Sequence, residues 1–567
     1  MCIPVEYAHI QFIFQLLHHQ AQGRLGKAAG FCSFTEVPIL VYCNYITQLL
    51  ESHPLVPIDN INANINKIVL INEYSQNIFA AGKTDMNWKV IIWYIGVSLL
   101  LVAALMTVSG IVACLTTGDD SRIPLLLSAF LTGIMGFFPL IFVRKGRHRL
   151  TFKEGNSIVV GAWFMACLFG MFPFLFYGKE FTPINAIFES VSGFTTTGAS
   201  ILNDIEALPR GLQFWRISTA WVGGIGIITL FSMLTRGMDK SVLSGSEISD
   251  VALEALAGSR TNSFANRMMT TYIMLTFISM ISLRLTGMGW FDSATNAMSA
   301  CSTCGFCTRN TSIAFYSNPA AEVVLIITML SAGLNFGILF LAYIKGRPNY
   351  IWKSDTIKVF LSLVCLAIII ITTDLLANGQ YSSFGTALRD ASFQVASIST
   401  TTGFATQDTT AWPPLCMSVL IICSLICGCS GSTSGGIKID RAILAAKGII
   451  RKVALTVEPN TIQVVRIDGR IRPPGQISDA FCYIICYLVF MFVFAAIYIA
   501  FGLDFTTGVT ASIAFIGNVG PGFGDVGSMS NYSSFPSLLK ATGMIEMLMG
   551  RLEIFPILYL FRSIRRG

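Results

Sequence analysis

Four short segments combine glycine with hydroxyl, thiol or amide side chains: Ser192-Gly193-Phe194-Thr195-Thr196-Thr197-Gly198, Ser302-Thr303-Cys304-Gly305-Phe306, Ser399-Thr400-Thr401-Thr402-Gly403-Phe404 and Asn518-Val519-Gly520-Pro521-Gly522. None carries the nucleophile–base or paired-carboxylate arrangement that bond-making chemistry needs. What they offer is backbone. Glycine opens conformations closed to other residues, so peptide carbonyls can turn to one side. A ring of such carbonyls replaces the hydration shell of a monovalent cation. A single copy would be an ordinary loop, but the key glycines 198, 305, 403 and 520 lie 107, 98 and 117 residues apart, as in a repeated unit. The candidate cation ligands are Thr196, Thr197 and Gly198, then Thr303, Cys304 and Gly305, then Thr401, Thr402 and Gly403, then Asn518, Val519 and Gly520.

A second group suits control of passage. Residues 428–436 read Gly-Cys-Ser-Gly-Ser-Thr-Ser-Gly-Gly, eight of the nine being Gly, Ser or Thr. Such a run does not hold a helix alone. Within an apolar stretch it reads as a flexible interruption suited to a gate: Gly428, Ser430, Gly431, Ser432, Gly435 and Gly436, with Lys438 just beyond. The alternative is a plain linker into the basic segment that follows. Arg551 lies inside the last apolar run, where a charge is costly unless it faces water or a partner. Two readings stay open for it: a pore-lining cation that repels others, or a structural pair with Glu546 or Glu553. Arg284 and Glu189 also fall at membrane depth and are expected to be paired structurally.

These groups need a membrane scaffold, and the composition supplies one. The 567 residues are 53% hydrophobic and 12% charged, with a mean hydropathy of +0.65. That leaves too little polar surface for a soluble fold. Ten apolar runs are expected to span: 88–114, 124–143, 155–177, 212–235, 266–288, 319–344, 356–376, 413–429 (open to extension toward 450), 478–502 and 536–561. Each is long enough for a hydrocarbon core of about 30 Å. Every glycine segment falls between two runs. Thirteen residues before each key glycine stands a polar residue followed by a small one: Asn185-Ala186, Asp292-Ser293, Asp390-Ala391 and Thr507-Gly508. Polar residues of this kind cap helix N-termini, and the stretch that follows, about nine or ten residues, is too short to span. Each unit therefore reads as span, half-membrane helix, glycine segment, span. Non-helical backbone at that depth survives only where protein buries it or water wets it, so the four segments should converge on one aqueous axis. The negative C-terminal ends of the short helices add cation attraction.

The net charge of +7 would suit nucleic acid, but its distribution argues otherwise. Of the 38 Lys and Arg, 24 fall in 144–153, 236–267, 345–358, 438–472 and 562–566, against four (Arg122, Lys179, Arg210, Arg309) in the alternate connections. The positive-inside rule then places the start near Met86 and the C-terminus in the cytoplasm; no nucleic-acid partner is expected. Residues 1–85 differ from the rest, with four of the five histidines and only four of the 49 glycines. Met86-Asn87-Trp88-Lys89 reads as a start, and 1–85 as a poorly ordered extension. The 15 cysteines are scattered and form no disulfide framework. Cys301-x-x-Cys304-x-x-Cys307 lacks a fourth cysteine nearby for an iron–sulfur cluster. Gly522-Phe523-Gly524-Asp525-Val526-Gly527 mimics a dinucleotide fingerprint without its strand and helix, and no P-loop is present.

SGFTTTGAS, STCGF, STTTGFATQD and GNVGPGFGD, with the 428–436 run, resemble the Trk/Ktr/HKT superfamily of potassium transporters over roughly residues 88–566. Two extra spans before the first unit are similar to the TrkH branch rather than the shorter KtrB branch. The resemblance implies an all-α polytopic membrane protein. Its helix–pore helix–filter–helix unit would repeat with pseudo-fourfold symmetry around one pore, after two extra transmembrane helices. The chain would then divide into the extension 1–85, a two-helix region 86–153, and pore units 154–240, 260–350, 354–455 and 475–567. Potassium uptake across a bacterial inner membrane is implied, with no enzymatic activity and no cofactor held by this chain. K⁺ would bind only at the filter residues. A homodimer in the lipid bilayer and a cytosolic, nucleotide-binding regulatory subunit of the TrkA kind are implied partners. The family's loop beneath the filter corresponds to 428–436, and its arginine below the filter to Arg551. One position departs: Cys304 stands where the second filter more often has glycine, and its thiol either packs or makes conduction sensitive to oxidation. A Na⁺-conducting or Na⁺/H⁺-coupled K⁺ symporter of the same fold is the alternative, although the family pattern links glycine rather than serine at position 198 with K⁺.

Overall fold

The computed structural model describes residues 87–143, 152–236 and 261–559, all of which belong to a single structural unit. The expected extension 1–85 and most of the basic segments 144–153, 236–267 and 562–566 lie outside the described residues. Asn87 caps α1 (Trp88–Leu115) by accepting the Lys89 N–H. The chain then returns through α2 (Arg122–Phe142). The two helices cross at glycines: a Cβ on Gly96 would stand 2.8 Å from the Gly136 carbonyl oxygen, and one on Gly136 would stand 3.0 Å from that of Gly96. Small residues of this kind let helices approach in lipid, where no hydrophobic drive separates tails from side chains. Leu101, Phe130 and Phe137 point outward, as suits a lipid-facing surface.

Four units follow. In the first, α3 (Phe152–Gly170) and α4 (Phe172–Tyr177) precede the short α5 (Pro183–Phe194) and then α6 (Arg210–Arg236). The second runs from α7 (Thr261–Leu285) through the short α8 (Trp290–Ser302) to α9 (Pro319–Ala332), α10 (Phe336–Leu339), a π-helical turn Phe340–Ile344 and α11 (Asn349–Lys353). The third has α12 (Asp355–Ala377), the short α13 (Phe384–Ser399), α14 (Pro414–Leu425) and α15 (Ile439–Val457). An antiparallel hairpin, β1 (Val465–Ile467) with β2 (Arg470–Arg472), pairs Val465 with Arg472. The fourth unit has α16 (Pro474–Ala500), the short α17 (Phe505–Ile516) and α18 (Ser537–Arg551). Each short helix packs on the span before it, as α3·α5, α7·α8, α12·α13 and α16·α17. Short helices and the helices that follow them also alternate in a closed ring of neighbours: α5, α6, α8, α9, α13, α14, α17, α18 and back to α5.

Among the described residues six helices, rather than ten, are long and apolar enough to span, or seven if α9 and the α10 segment count as one. That pair bends by 111°, α14 stops at Leu425 and α18 at Arg551. In each case the helix breaks where other protein backbone can take up the freed groups. Helix starts also lie earlier than expected. Thr182 and Asp504 cap α5 and α17 with side-chain oxygens, and Gly289 and Ser383 open α8 and α13. Asn185, Asp292, Asp390 and Thr507 are inside the helices, which run 12, 13, 16 and 12 residues. The overlooked signal is Thr182-Pro183, a cap followed by proline at the first helical position. The Gly522–Gly527 run follows α17 through a tight turn, with the Gly522 N–H donating to the Val526 carbonyl at 2.7 Å. It has no strand before it.

Ion pairs, one of them fully buried, hold the units together. Arg216 of α6 pairs with Glu189 of α5, donates to the Cys307 carbonyl of the second unit at 3.2 Å, and lies 3.6 Å above the Phe306 ring. Arg389 of α13 forks onto Glu322 of α9 at 2.6 and 2.5 Å. Among the described residues, Arg284 finds the Trp290 ring at 5.4 Å and the Met288 carbonyl at 3.4 Å instead of a carboxylate. Removing one partner of a buried pair strands the other charge, at a cost of about 3–5 kcal/mol. Glu189→Gln should therefore lower the thermal unfolding temperature of the detergent-solubilised protein sharply, whereas Glu189→Leu combined with Arg216→Met should recover much of the loss. Equal stability of Glu189→Gln and the parent would refute the structural role of this pair.

Candidate functional site

All four short helices end in the same turn. In α5, the N–H of Thr196 donates to the Gly193 carbonyl at 2.8 Å and that of Thr197 to the Ser192 carbonyl at 2.9 Å. The same pair of bonds joins Thr303 to Ala300 (3.2 Å) and Cys304 to Ser299 (3.1 Å), Thr401 to Ile398 (3.0 Å) and Thr402 to Ser397 (2.8 Å), and Asn518 to Phe515 (3.2 Å) and Val519 to Ala514 (2.9 Å). This is the Schellman closure, which wants a left-handed residue just beyond the helix. Thr196, Thr303, Thr401 and Asn518 hold that position at φ of 53°, 54°, 57° and 51°. For threonine this is a costly conformation, and such strain persists only where the surroundings impose it.

Two residues on, Gly198, Gly305, Gly403 and Gly520 are again left-handed, at φ of 81°, 80°, 80° and 95°. Here the neighbours also demand glycine. A Cβ on Gly198 would overlap the carbonyl oxygen of Cys304, one on Gly305 that of Thr402, one on Gly403 that of Val519, and one on Gly520 that of Thr197. Each unit's key glycine thus abuts the carbonyl before the key glycine of the next, and the fourth returns to the first. All four glycines line one cavity of about 80 Å³. Beneath it, the Asn518 amide donates to Thr197 Oγ1 and the Met547 carbonyl, both at 3.0 Å. Among the described residues, Thr196 Oγ1 and Asn518 Oδ1 are buried without a hydrogen-bond partner. The available donors are oxygens, which suit a hard cation. Cys304 packs its side chain with Ile217, Ala220 and Phe306.

Residues 428–436, expected to be flexible, are almost wholly buried and tightly bonded. Short Gly, Ser and Thr side chains leave the backbone open to partners on three units. The Gly428 N–H meets Ser434 Oγ at 3.1 Å, Ser430 donates its N–H to Asp440 at 2.6 Å, and Gly435 donates to Thr401 Oγ1 at 3.0 Å. Asn335 donates its amide to the Ser430 carbonyl at 2.7 Å, the Phe336 N–H donates to the Gly431 carbonyl at 3.1 Å, and the Ser432 hydroxyl donates to the Cys429 carbonyl at 2.6 Å. Gly431 and Gly436 are left-handed, at φ of 78° and 71°. Thr433 donates its hydroxyl to the Cys301 carbonyl at 3.0 Å.

Arg551 ends α18 inside this knot, 1% exposed. Its guanidinium donates to the Thr433 carbonyl at 2.7 Å and the Gly223 carbonyl at 3.1 Å. Neither expected carboxylate pairs with it: Glu546 takes the hydroxyls of Tyr498 and Ser512, and Glu553 takes Lys438 and Arg441. Arg551 therefore links the 428–436 run of the third unit to α6 of the first.

In the connections between helices, the Asn310 amide, 2.9 Å from Asp204, holds that carboxyl below its ordinary range. Asp204 therefore stays ionised near the cavity lined by Asn310 and the key glycines. Residue type and spacing do not single out Asn335, Thr433 or Gly223. Gly333-Leu334-Asn335 inside an apolar run is a readable break, whereas the Thr433 and Gly223 carbonyls carry no side-chain signal.

The sequence model of the TrkH family, described as cation transport proteins, matches residues 127–565. The TrkH potassium uptake protein of Halomonas elongata is 30% identical over 481 residues, covering 84% of this chain and 98% of its own. That of Escherichia coli K12 is 30% identical over 483 residues, covering 84% and 99%. The crystal structure of the potassium transporter TrkH from Vibrio parahaemolyticus superposes with a TM-score of 0.75 at 28% identity, covering 84% of this chain and 98% of that one. A family match over most of the length, relatives 30% identical over 84% of the chain and a matching fold converge: this chain belongs to the TrkH family of cation transport proteins.

Proposed function

We infer that the protein takes up potassium across the inner membrane of a bacterium, through a filter built from Thr196–Gly198, Thr303–Gly305, Thr401–Gly403 and Asn518–Gly520. The observation that carries this reading is the cyclic contact between each key glycine and a carbonyl of the next unit, around one cavity shared by all four. Carbonyl oxygens of Thr197, Cys304, Thr402 and Val519 exchange for water around the ion, and the aligned C-terminal ends of α5, α8, α13 and α17 favour its charge. Gly428, Ser430, Gly431, Ser432, Gly435, Gly436 and Lys438 form the gate with Arg551, whose charge repels cations and whose hydrogen bonds hold the loop in the path. Basic residues between alternate spans orient the Met86 end and the C-terminus toward the cytoplasm. Family resemblance supports a homodimer served by a cytosolic nucleotide-binding subunit of the TrkA kind.

Expression in a potassium-uptake-deficient bacterium should restore growth at low potassium, and comparing chains begun at Met1 and at Met86 defines the working length. Failure of both would count against potassium uptake. Gly198→Ala adds a side chain in a left-handed conformation, costing about 1–2 kcal/mol, and drives it into the Cys304 carbonyl. The expected outcome is loss of K⁺ over Na⁺ preference in competition flux assays; an unchanged preference would remove these segments from the filter. Arg551→Ala should raise K⁺ flux severalfold at equal membrane expression, and unchanged flux would sink its gating role.

A further inference from the structure

Below the proposed gate lies an ionic cluster that neither the filter nor the loop accounts for. Glu553, two residues beyond Arg551, accepts from Lys438 Nζ at 2.9 Å and from Arg441 at 2.7 Å. Lys438 is the last residue of the loop and Arg441 lies in the first turn of α15. The Arg441 guanidinium also sits 3.6 Å over the Tyr483 ring of α16. Two of the three members are strained: Lys438 has φ 70° and Glu553 φ 55°. Left-handed backbone costs a non-glycine residue about 1–2 kcal/mol, so both turns persist only if something external holds them. The one carboxylate that binds both cations is placed to do so. It joins the exit of the loop to the break that follows Arg551, while Asp440 secures the loop's beginning through the Ser430 N–H.

We propose that Glu553 is a positioning residue of the gate: by pairing with Lys438 and Arg441 it locks the 428–438 loop and Arg551 together in the obstructing arrangement. This rests on the gating role proposed above for the loop and Arg551. Glu553 touches neither the filter nor the ion path; it acts through the two elements that do. Loss of the carboxylate leaves two cations without their shared partner and releases both strained turns at once, so the loop leaves the path more often. The side chain of Glu553 retains 30% exposure, so water reaches the latch.

The test uses the full chain in potassium-loaded proteoliposomes without any added partner, with rubidium flux normalised to the amount of inserted protein. Glu553→Gln and Glu553→Lys should raise basal flux about tenfold, the population change that about 1.4 kcal/mol produces. The swapped pair Glu553→Lys with Arg441→Glu should return flux toward the parent level. Misfolding lowers flux and a merely structural contact gives no gain, so a rise reversed by the swap is specific to a latch. Unchanged or reduced flux in Glu553→Gln, or a swap as active as Glu553→Lys alone, overturns the proposal. Arg551→Ala in the same assay separates the two claims. A rise there with silent Glu553 variants removes only the latch, whereas no response to Arg551→Ala removes the gate and the latch together.

Discussion

A peptide group out of water without a hydrogen-bond partner costs several kcal/mol, and this chain buries four non-helical segments among its helices. The closure after each short helix is the device that makes this tolerable. It satisfies carbonyls in the last helical turn, reverses the chain, and leaves the next carbonyls for the cavity. Everything around it serves that geometry. The spans before the short helices back them, and the helices after them alternate with them in a closed ring. The ion pairs Arg216–Glu189 and Arg389–Glu322 tie their ends. The strain in Thr196, Thr303 and Thr401 is sustained because each turn is packed against the turn of an adjoining unit.

The 428–438 segment is the inverse solution to the same constraint. It abandons the helix, and its backbone is satisfied by Asn335, Asp440, Thr401 and Arg551 from other parts of the chain. A Cβ at Gly435 would overlap the Gly517 carbonyl beside the fourth turn. The loop is therefore wedged against the ring of glycine turns as well as bonded to it. Partial withdrawal of such a segment would leave several buried groups unpaired at once. That property suits a gate better than looseness does.

Membership of the TrkH family is readable in the glycine segments because their spacing and residue types recur, and repetition is visible without coordinates. Residues 1–85 set themselves apart by composition alone. Less legible are the element limits. Asn185, Asp292 and Thr507 look like caps but occupy the first turns of helices that begin at Pro183, Trp290 and Phe505. Polar residues are welcome both at a cap and just inside it, so type alone does not choose between them. The runs 319–344, 413–429 and 536–561 look continuous because Leu, Ile and Met fill them, but hydropathy counts side chains and is blind to where the backbone turns.

What the sequence alone determined is the class of solvent, the repeat, and the positions where glycine is obligatory, since these follow from composition, spacing and the absence of a Cβ. Only the tertiary structure decided which groups meet. Arg551 could have paired with Glu546 or Glu553 on helical spacing, yet α18 breaks after it, Glu553 turns to Lys438 and Arg441, and the guanidinium reaches carbonyls of Thr433 and Gly223. Those acceptors are backbone atoms brought from 118 and 328 residues away. Every residue carries the same carbonyl, so no residue type announces which ones a folded chain will bring to a buried charge.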